Sequence, residues 1–357
     1  MPSRHQISSC AHDLNLTKTD FNLEQYIAVL KNTLSKGIEL NVTLALTDYQ
    51  LTLLMSIIDG IPSKKSLRLT LNIIDVDEIE EISAQEYTKH FFINLCEKIS
   101  KITALTSLCI EDNELLSSAE QIALAQNIQS LEHLTHVTFS LSNLDSIAIA
   151  LTNHHITCFK VTQFNVFEDL MRSAENQTGN KTTKYGKVTQ KTIQQIIRIG
   201  EVLTANQSLR EVQFIADILA QSMIHLDITA PKLDIERAVL NHLFVPLLQH
   251  SSLETLTFDL LRLISLPSLN ACETHIHAMI KQTPTNRLSN IQLMPQPGMP
   301  GFCQRFKIEL TALTDFINQQ KRKRLTLDDR SFFSYDTRSS KKQRIVEEAE
   351  EKAVCSP

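Results

Sequence analysis

A short strand pattern recurs along the chain and constrains the fold more than any other sequence feature. Apolar residues stand at its first, fourth and sixth positions, and polar residues stand between them. The clearest copies are Leu105, Leu108 and Ile110; Leu134, Val137 and Phe139; Ile156, Phe159 and Val161; Leu209, Val212 and Phe214; Met223, Leu226 and Ile228; Leu253, Leu256 and Phe258; and Leu288, Ile291 and Leu293. Leu67 to Ile74 is a plausible variant, and Ile38 to Leu46 is a fainter one. The pattern predicts strands with one buried face.

Segments with helical spacing lie between several of these strands. They are Phe91, Leu95 and Ile99; Ile193, Ile196, Ile197 and Leu203; and Ile235, Val239, Leu243 and Leu247. A strand and a helix every ~20–30 residues indicate one supersecondary unit per repeat. The alternative is a globular α/β domain with a parallel sheet, whose strands read as continuous apolar runs. Polar residues between the anchors, such as Thr106 and Ser107, favour a solenoid of stacked repeats.

Three segments carry a likeness to a known class of repeats. They are ALTSLCIEDN (Ala104 to Asn113), SLREVQFIAD (Ser208 to Asp217) and SLETLTFDL (Ser252 to Leu260). Over Ser66 to Met294 the chain resembles ribonuclease-inhibitor-like leucine-rich repeats. The resemblance implies an α/β solenoid with parallel strands on a concave face and helices on a convex face. Only Asn113 matches that family's asparagine three residues after the last anchor, and the repeat spacing is irregular. We therefore expect a distorted horseshoe without a continuous asparagine ladder.

The pattern divides the chain into four parts. Residues 1–65 are predicted as a helical cap (Leu23, Tyr26, Ile27, Leu30 and Leu34) with a first irregular repeat. Residues 66–300 are the solenoid, and the polar stretch 171–191 is predicted as an inserted loop, either tolerated or used for contact or modification. Residues 301–324 are predicted as a capping helix with Phe306, Leu310, Leu313 and Ile317 on one face. Residues 325–357 are predicted as a disordered tail.

The residues between the anchors point away from the core and form the predicted partner-binding surface. They are Ser107, Cys109, Glu111, His136, Thr138, Ser140, Cys158, Lys160, Thr162, Glu211, Gln213, Ile215, His225, Asp227, Thr229, Thr255, Thr257 and Asp259, continued by Asn290, Gln292 and Met294. The set is polar, short and weakly charged. It favours a protein partner, and the bland alternative is an ordinary solvated sheet face.

Composition excludes several function classes. The formal net charge of −5 argues against a general nucleic-acid-binding surface. Only seven glycines are present, which argues against phosphate-binding glycine loops. The longest apolar stretches, such as Leu51 to Ile58, are too short for a membrane span, and Met1 to Leu16 does not read as a secretory signal. The seven cysteines are scattered, which predicts reduced thiols in a cytoplasmic compartment.

No catalytic motif or cofactor-binding motif appears, so the chain is predicted to work without a cofactor and without running a reaction. His133 and His136 straddle a strand start and would lie on opposite faces. In the cluster Cys272, Glu273, His275 and His277, only Cys272 and His275 would share a helix face, and zinc needs two further ligands. Cys109 to Asp112 is similar to the Cys-x-Asp nucleophile of secreted leucine-rich-repeat ubiquitin ligases, but carries one residue too many. An enzyme site assembled across repeats or on the 171–191 segment stays open.

The tail carries two localisation candidates. Lys321, Arg322, Lys323 and Arg324, with Lys341, Lys342 and Arg344, are similar to a bipartite nuclear localisation signal, although a run of basic residues at a helix end also favours the helix dipole. Glu347, Glu348, Glu350 and Glu351 resemble the glutamate-rich secretion signals of Dot/Icm type IV effectors of intracellular bacteria. This resemblance implies export from the bacterial cytoplasm into a host cell. The basic clusters predict import into the nucleus of that cell. The alternative is a housekeeping cytoplasmic scaffold.

Overall fold

In a computed structural model, nine strands of the chain pair into one parallel sheet. The structure describes residues 9–17, 22–32, 37–45, 47–61, 65–74, 105–111, 118–140, 143–175, 181–216, 229–259 and 290–292, with Ile102, Leu263, Leu288, Asp315 and Gln319. The strands are β1 Ser9–Asn15, β2 Gly37–Ala45, β3 Ser66–Ile74, β4 Leu105–Glu111, β5 His136–Phe139, β6 Cys158–Phe164, β7 Glu211–Ala216, β8 Thr255–Phe258 and β9 Asn290–Gln292.

Helices connect these strands. They are α1 Leu23–Asn32, α2 Asp48–Asp59, α3 Ser118–Gln129, α4 Leu144–Leu151, α5 Glu168–Glu175, α6 Lys181–Ala205, α7 Thr229–Ala238, a π-helical segment Val239–Phe244 and α8 Val245–Gln249. The prediction of an α/β fold with parallel strands is confirmed. Among the described helices, none combines the length and the apolar character that crossing a bilayer requires.

The strand order of the sheet follows the chain from β1 to β9 without a reversal. Crossovers between parallel strands are right-handed almost without exception, so an order that never reverses places the crossovers that the structure describes on the same face. Doubly wound sheets differ, because their order reverses and helices cover both faces. Here the helices form one layer, and we call the opposite side of the sheet the open face.

The helix-covered face carries the predicted anchors, and all of those that the structure describes are buried. In β4 to β8, the residues at positions one, four and six are at most 1% exposed. They form one continuous apolar core with helix residues such as Leu124, Ile147 and Leu243. At roughly 1.5–3 kcal/mol for each large side chain, this burial is the main force that holds the strands against the helices.

The first strands follow a simpler pattern than the later ones. In β3 the buried residues Leu67, Leu69 and Leu71 alternate strictly, with one residue between successive anchors. In β4 two residues, Thr106 and Ser107, separate the first two anchors. The register between the two strands accordingly shifts beside Leu67, as in a β-bulge. The change from strict alternation to the one-four-six spacing is therefore accompanied by a register shift at one point of the sheet.

The prediction of an N-terminal helical cap was wrong for α1, because β1 precedes this helix and pairs with β2. Leu30 of α1 is buried in the common core, so α1 belongs to the helix layer. The segment Ser9–Asn15 escaped prediction because Leu14 is its one large aliphatic residue. Leu34 lies outside the described residues.

The prediction of an inserted loop at 171–191 was also wrong. Met171 lies in α5, and α6 begins at Lys181, so helix covers all of this stretch except residues 176–180, which are not described. The stretch is polar because one side of each helix faces solvent, while Leu170 and Ile196 face the core. Lys191 Nζ lies 2.7 Å from Asp169 Oδ2 and joins the two helices.

The predicted strand with anchors Met223, Leu226 and Ile228 lies outside the described residues. β7 pairs directly with β8 in continuous register, which leaves no place for another strand. Thr229, predicted on a strand face, begins α7 instead. The remaining predictions on residues 301–357 lie outside the described part, except that Asp315 and Gln319 are helical.

A buried polar ladder runs along the turns that lead from helix to strand. Asn153 Nδ2 donates to the carbonyl oxygens of Ile128 and Leu131, both at 2.9 Å. Asn206 Nδ2 donates to those of Leu151 at 2.9 Å and Asn153 at 3.1 Å. Each asparagine stands three residues before the first anchor of its strand. The family's asparagine ladder follows the last anchor of each strand, and we expected no continuous ladder there. The asparagine ladder of this chain precedes the first anchor instead.

Candidate binding face

Side chains of the open face form rows that run across the sheet. The register aligns a first row consisting of Ala11, Glu39, Arg68, Ser107, His136, Cys158, Glu211, Thr255 and Asn290. It aligns a second row consisting of Asp13, Asn41, Thr70, Cys109, Thr138, Lys160, Gln213, Thr257 and Gln292. Most of the predicted surface residues therefore lie side by side, as strand alternation requires.

The structure extends the predicted surface toward β1 and reduces it at two positions. Asp13, Glu39, Asn41 and Arg68 continue the rows across the first three strands, and sequence reasoning did not select them. The signal for Glu39, Asn41 and Arg68 was the alternation within the fainter strand copies, whereas Asp13 lies in β1, which the sequence did not indicate. Cys158 and Asp259 were predicted to be exposed, but they are 7% and 4% exposed.

The other members of the predicted surface lie outside the two rows or are described only in part. Ser140 directly follows β5 and Thr162 lies in β6, with their hydroxyl oxygens 2.6 Å apart. Ile215 is half-buried on β7. The backbone of Glu111 ends β4, and its side chain is not among the described ones. His225, Asp227 and Met294 lie outside the described residues.

An ion pair marks the middle of the open face. Lys160 Nζ lies 2.8 Å from Glu211 Oε1, and both side chains are partly exposed. The hydrogen bond to Glu211 raises the pKa of Lys160, so the ammonium group stays charged. Partial burial, more than any neighbouring charge, raises the pKa of the Cys158 thiol to about 12. Cys158 is therefore a protonated thiol at neutral pH, which is the opposite of an activated nucleophile.

Hydrogen bonds of neighbouring threonines fix the tautomer of His136. The Thr106, Thr135 and Thr157 hydroxyls each donate to a carbonyl oxygen of the preceding strand segment, at 3.0–3.1 Å. Thr135 Oγ1 also lies 2.8 Å from His136 Nδ1. A hydroxyl has one hydrogen, and Thr135 uses it toward Thr106, so His136 Nδ1 donates in this contact. The Nε2 atom of the neutral ring is therefore an acceptor.

The charge state of His136 follows from its surroundings. Partial burial lowers the pKa of His136, and the positive charges of Arg68 and Lys160 lower it further, while Glu211 opposes them. The ring is therefore neutral at pH 7. Among the described residues, no three His, Cys, Asp or Glu side chains are arranged to hold a metal ion. The site combines a neutral imidazole, a neutral thiol, hydroxyls, amides and paired charges, which suits hydrogen-bonded recognition better than covalent chemistry.

Comparison with known protein families and with curated proteins found no match for this chain.

Proposed function

We propose that the chain is an irregular leucine-rich-repeat solenoid that binds another protein through its open face. The observation that carries the proposal is the pair of polar rows, which cross all nine strands in register. A sheet with helices on one face leaves the other available, and stacked repeats use such a face for binding. The inward anchors at positions one, four and six support the repeat class.

The composition of the open face favours a protein partner over a nucleic acid. The first two rows carry Asp13, Glu39 and Glu211 against Arg68 and Lys160, so negative and positive groups are mixed. Binding to a phosphate backbone instead requires an excess of Lys and Arg over one continuous surface. Short hydroxyl and amide side chains between these charges offer both donors and acceptors, which is what the backbone and side chains of a protein surface match.

Partner capture with matched variants tests this proposal. Immobilised chain is incubated with host-cell lysate, and retained proteins are quantified by mass spectrometry. The first variant changes His136, Lys160 and Glu211 to alanine. The control changes Gln194, Lys187 and Glu201 to alanine, which removes the same charges from exposed positions of α6. Circular dichroism melting establishes that both variants fold, since an exposed ion pair contributes at most about 1 kcal/mol.

We expect one protein to be retained in stoichiometric amount by the wild-type chain and the control, and to be lost from the open-face variant. Equal retention by all three chains would place binding elsewhere. If no partner is retained and the chain turns over a substrate in an activity screen, the alternative of an enzyme replaces the proposal.

We propose further that the chain is a secreted bacterial effector that acts in a host cell. This proposal is supported only by the tail sequence, which lies outside the described residues. Changing Glu347, Glu348, Glu350 and Glu351 to glutamine should abolish export in a translocation assay, while changing Lys341 and Lys342 to glutamine should not. Unchanged export of the first variant contradicts the proposal. Residues 321–344 fused to a fluorescent cargo test nuclear entry, and a wholly cytoplasmic signal counts against it.

A further inference from the structure

The centre of the open face is rich in hydrogen-bond donors. Arg68, Ser107 and His136 are consecutive in the first row, and Thr138 and Lys160 are consecutive in the second. These five residues are called the central patch. Ser107 and Thr138 are short, so the long cationic side chains of Arg68 on β3 and Lys160 on β6 stand on either side of a base of hydroxyl groups.

Several of these donors are available to a ligand. The Arg68 side chain is exposed and forms no ion pair or hydrogen bond with another described residue. Lys160 has three ammonium hydrogens, and its contact with Glu211 Oε1 uses one of them. Ser107 and Thr138 add hydroxyl donors. A carboxylate has two oxygens and accepts several hydrogen bonds, and a guanidinium binds it with two parallel ones.

We propose that the central patch binds a carboxylate of the partner protein, and that acidification strengthens this contact. The inference rests on the proposed function, since it names the chemistry by which the open face recognises a partner. Arg68 supplies the principal charged contact, and Lys160 supplies the second.

His136 makes the contact sensitive to pH. In its neutral form the ring offers the Nε2 lone pair, which repels a carboxylate oxygen. Protonation converts Nε2 into a donor and adds a third positive charge to the patch. The charged groups that face the ring are Arg68 on β3, Lys160 on β6 and Glu211 on β7. Since burial and the two cations lower the pKa of His136, the conversion occurs at a lower pH than in an ordinary exposed histidine.

Neighbouring carboxylates limit which acidic segments fit. Glu39 on β2 lies beside Arg68 in the first row, and Glu211 on β7 forms an ion pair with Lys160. These two carboxylates lie on either side of the central patch and repel a dense run of acidic residues. The patch therefore favours one carboxylate within an otherwise neutral segment.

A peptide titration tests the inference. The probe is a 12-residue peptide of Gly, Ser and Ala with one central Glu, and the matched probe carries Gln at that position. Ligand-detected NMR gives the dissociation constant of each peptide with the full chain at about pH 7.5 and about pH 5.5. The variants are Arg68→Gln and His136→Gln, and Lys187→Gln on the exposed side of α6 is the control.

At the lower pH we expect the Glu peptide to bind at least about fivefold more tightly than the Gln peptide, as charge-assisted hydrogen bonds predict. Arg68→Gln should remove this preference, and Lys187→Gln should retain it. His136→Gln should remove the increase in affinity between the two pH values.

Equal affinity for the two peptides, or an unchanged preference in Arg68→Gln, overturns the carboxylate site. A wild-type preference that does not increase at the lower pH overturns the role of His136. Partner capture that depends on the open face, without any peptide preference, would refute this inference and leave the proposed function standing.

Discussion

His250 occupies a position that asparagine fills in the two preceding turns. Like Asn153 and Asn206, it stands three residues before the first anchor of its strand and is buried, at 3% exposed. Its Nε2 lies 3.0 Å from the carbonyl oxygen of Leu203, and its Nδ1 accepts from the Ser252 backbone N–H at 3.3 Å. The ring therefore replaces the asparagine carboxamide, because it supplies one hydrogen-bond donor and one hydrogen-bond acceptor.

This geometry predicts acid-sensitive stability. Burial lowers the pKa of His250 in the folded chain, although its hydrogen bonds to backbone carbonyls oppose the shift. An unfolded histidine takes up a proton below about pH 6.5. The stabilisation is therefore complete above that value and is lost as the pH falls through the lower folded pKa.

His250→Asn should keep the donor and the acceptor while removing this titration. Urea denaturation from about pH 7.5 to about pH 5 should show the free energy of unfolding falling more steeply for the wild type than for the variant. Parallel curves would show that His250 is not held in the neutral form. His242, which is exposed, provides the control as His242→Asn, and its curve should follow the wild type.

At the level of single residues, the sequence predicted most of the side chains that share the open face from β4 to β9, because side chains alternate along a strand. It did not predict how far each one is exposed. Cys158 is buried by neighbours on other strands, which no local pattern reveals. The ladder of Asn153 and Asn206 was missed because the family pattern directs attention to the end of the strand, and both asparagines precede it.

Among the described helices, α6 and the π-helical segment make a close backbone contact. Pro246 has no N–H and cannot donate to the carbonyl oxygen of His242, as an α-helix would require. The Val245 N–H donates to Leu240, five residues earlier. Gly200 of α6 faces the carbonyl of His242, and a Cβ atom at Gly200 would lie 1.7 Å from that oxygen. Only glycine allows these two helices to approach so closely.

Two identical substitutions in α6 should therefore have opposite effects. Gly200→Ala should destabilise the chain by about 1–3 kcal/mol or more, because the helices must separate. Gly186→Ala meets nothing within 4 Å and should stabilise it by about 0.5–1 kcal/mol through helix propensity. Thermal denaturation of both variants measures the difference. A Gly200→Ala variant as stable as the wild type would contradict the close contact.

Among the secondary-structure elements, strands with three strong anchors were predictable from the sequence. The strand β1 and the polar helical stretch at 171–191 were not. β1 has one large aliphatic residue, Leu14, and its pairing with β2 supplies the order that its own sequence does not indicate. The stretch 171–191 looked like a loop because Lys, Thr and Gln dominate it. A helix that packs one side on a core needs few apolar residues, and polar composition alone therefore does not exclude it.

Across the whole molecule, aromatic rings connect successive strands through the core. Phe214 lies 4.8 Å from Phe164 and 5.8 Å from Phe258 between ring centroids. Phe244 of the π-helical segment lies 5.3 Å from Phe258. The rings join β6, β7 and β8 to the helix layer. In a sheet whose strand order follows the chain, such contacts connect each repeat mainly with the repeats next to it.

Phe214→Ala should lower the free energy of unfolding by about 3–5 kcal/mol, whereas Gln213→Ala on the open face should change it by about 0.5 kcal/mol or less. Hydrogen exchange should show protection lost first in β6, β7 and β8, while β1 to β3 keep theirs. Equal loss over the whole sheet would show that the chain unfolds as one unit, against the nearest-neighbour stability expected of stacked repeats.

Carboxyl footprinting in the presence of the captured partner tests most directly whether the open face is the binding surface. Glu39 and Glu211 lie on that face, and Glu201 is exposed on α6. The account predicts that the partner lowers the labelling rate of Glu39 and Glu211 at least about threefold, as burial in a protein interface excludes solvent, and leaves Glu201 unchanged. Protection of Glu201 with unchanged labelling of Glu39 and Glu211 would contradict it, because the partner would then bind the helix layer.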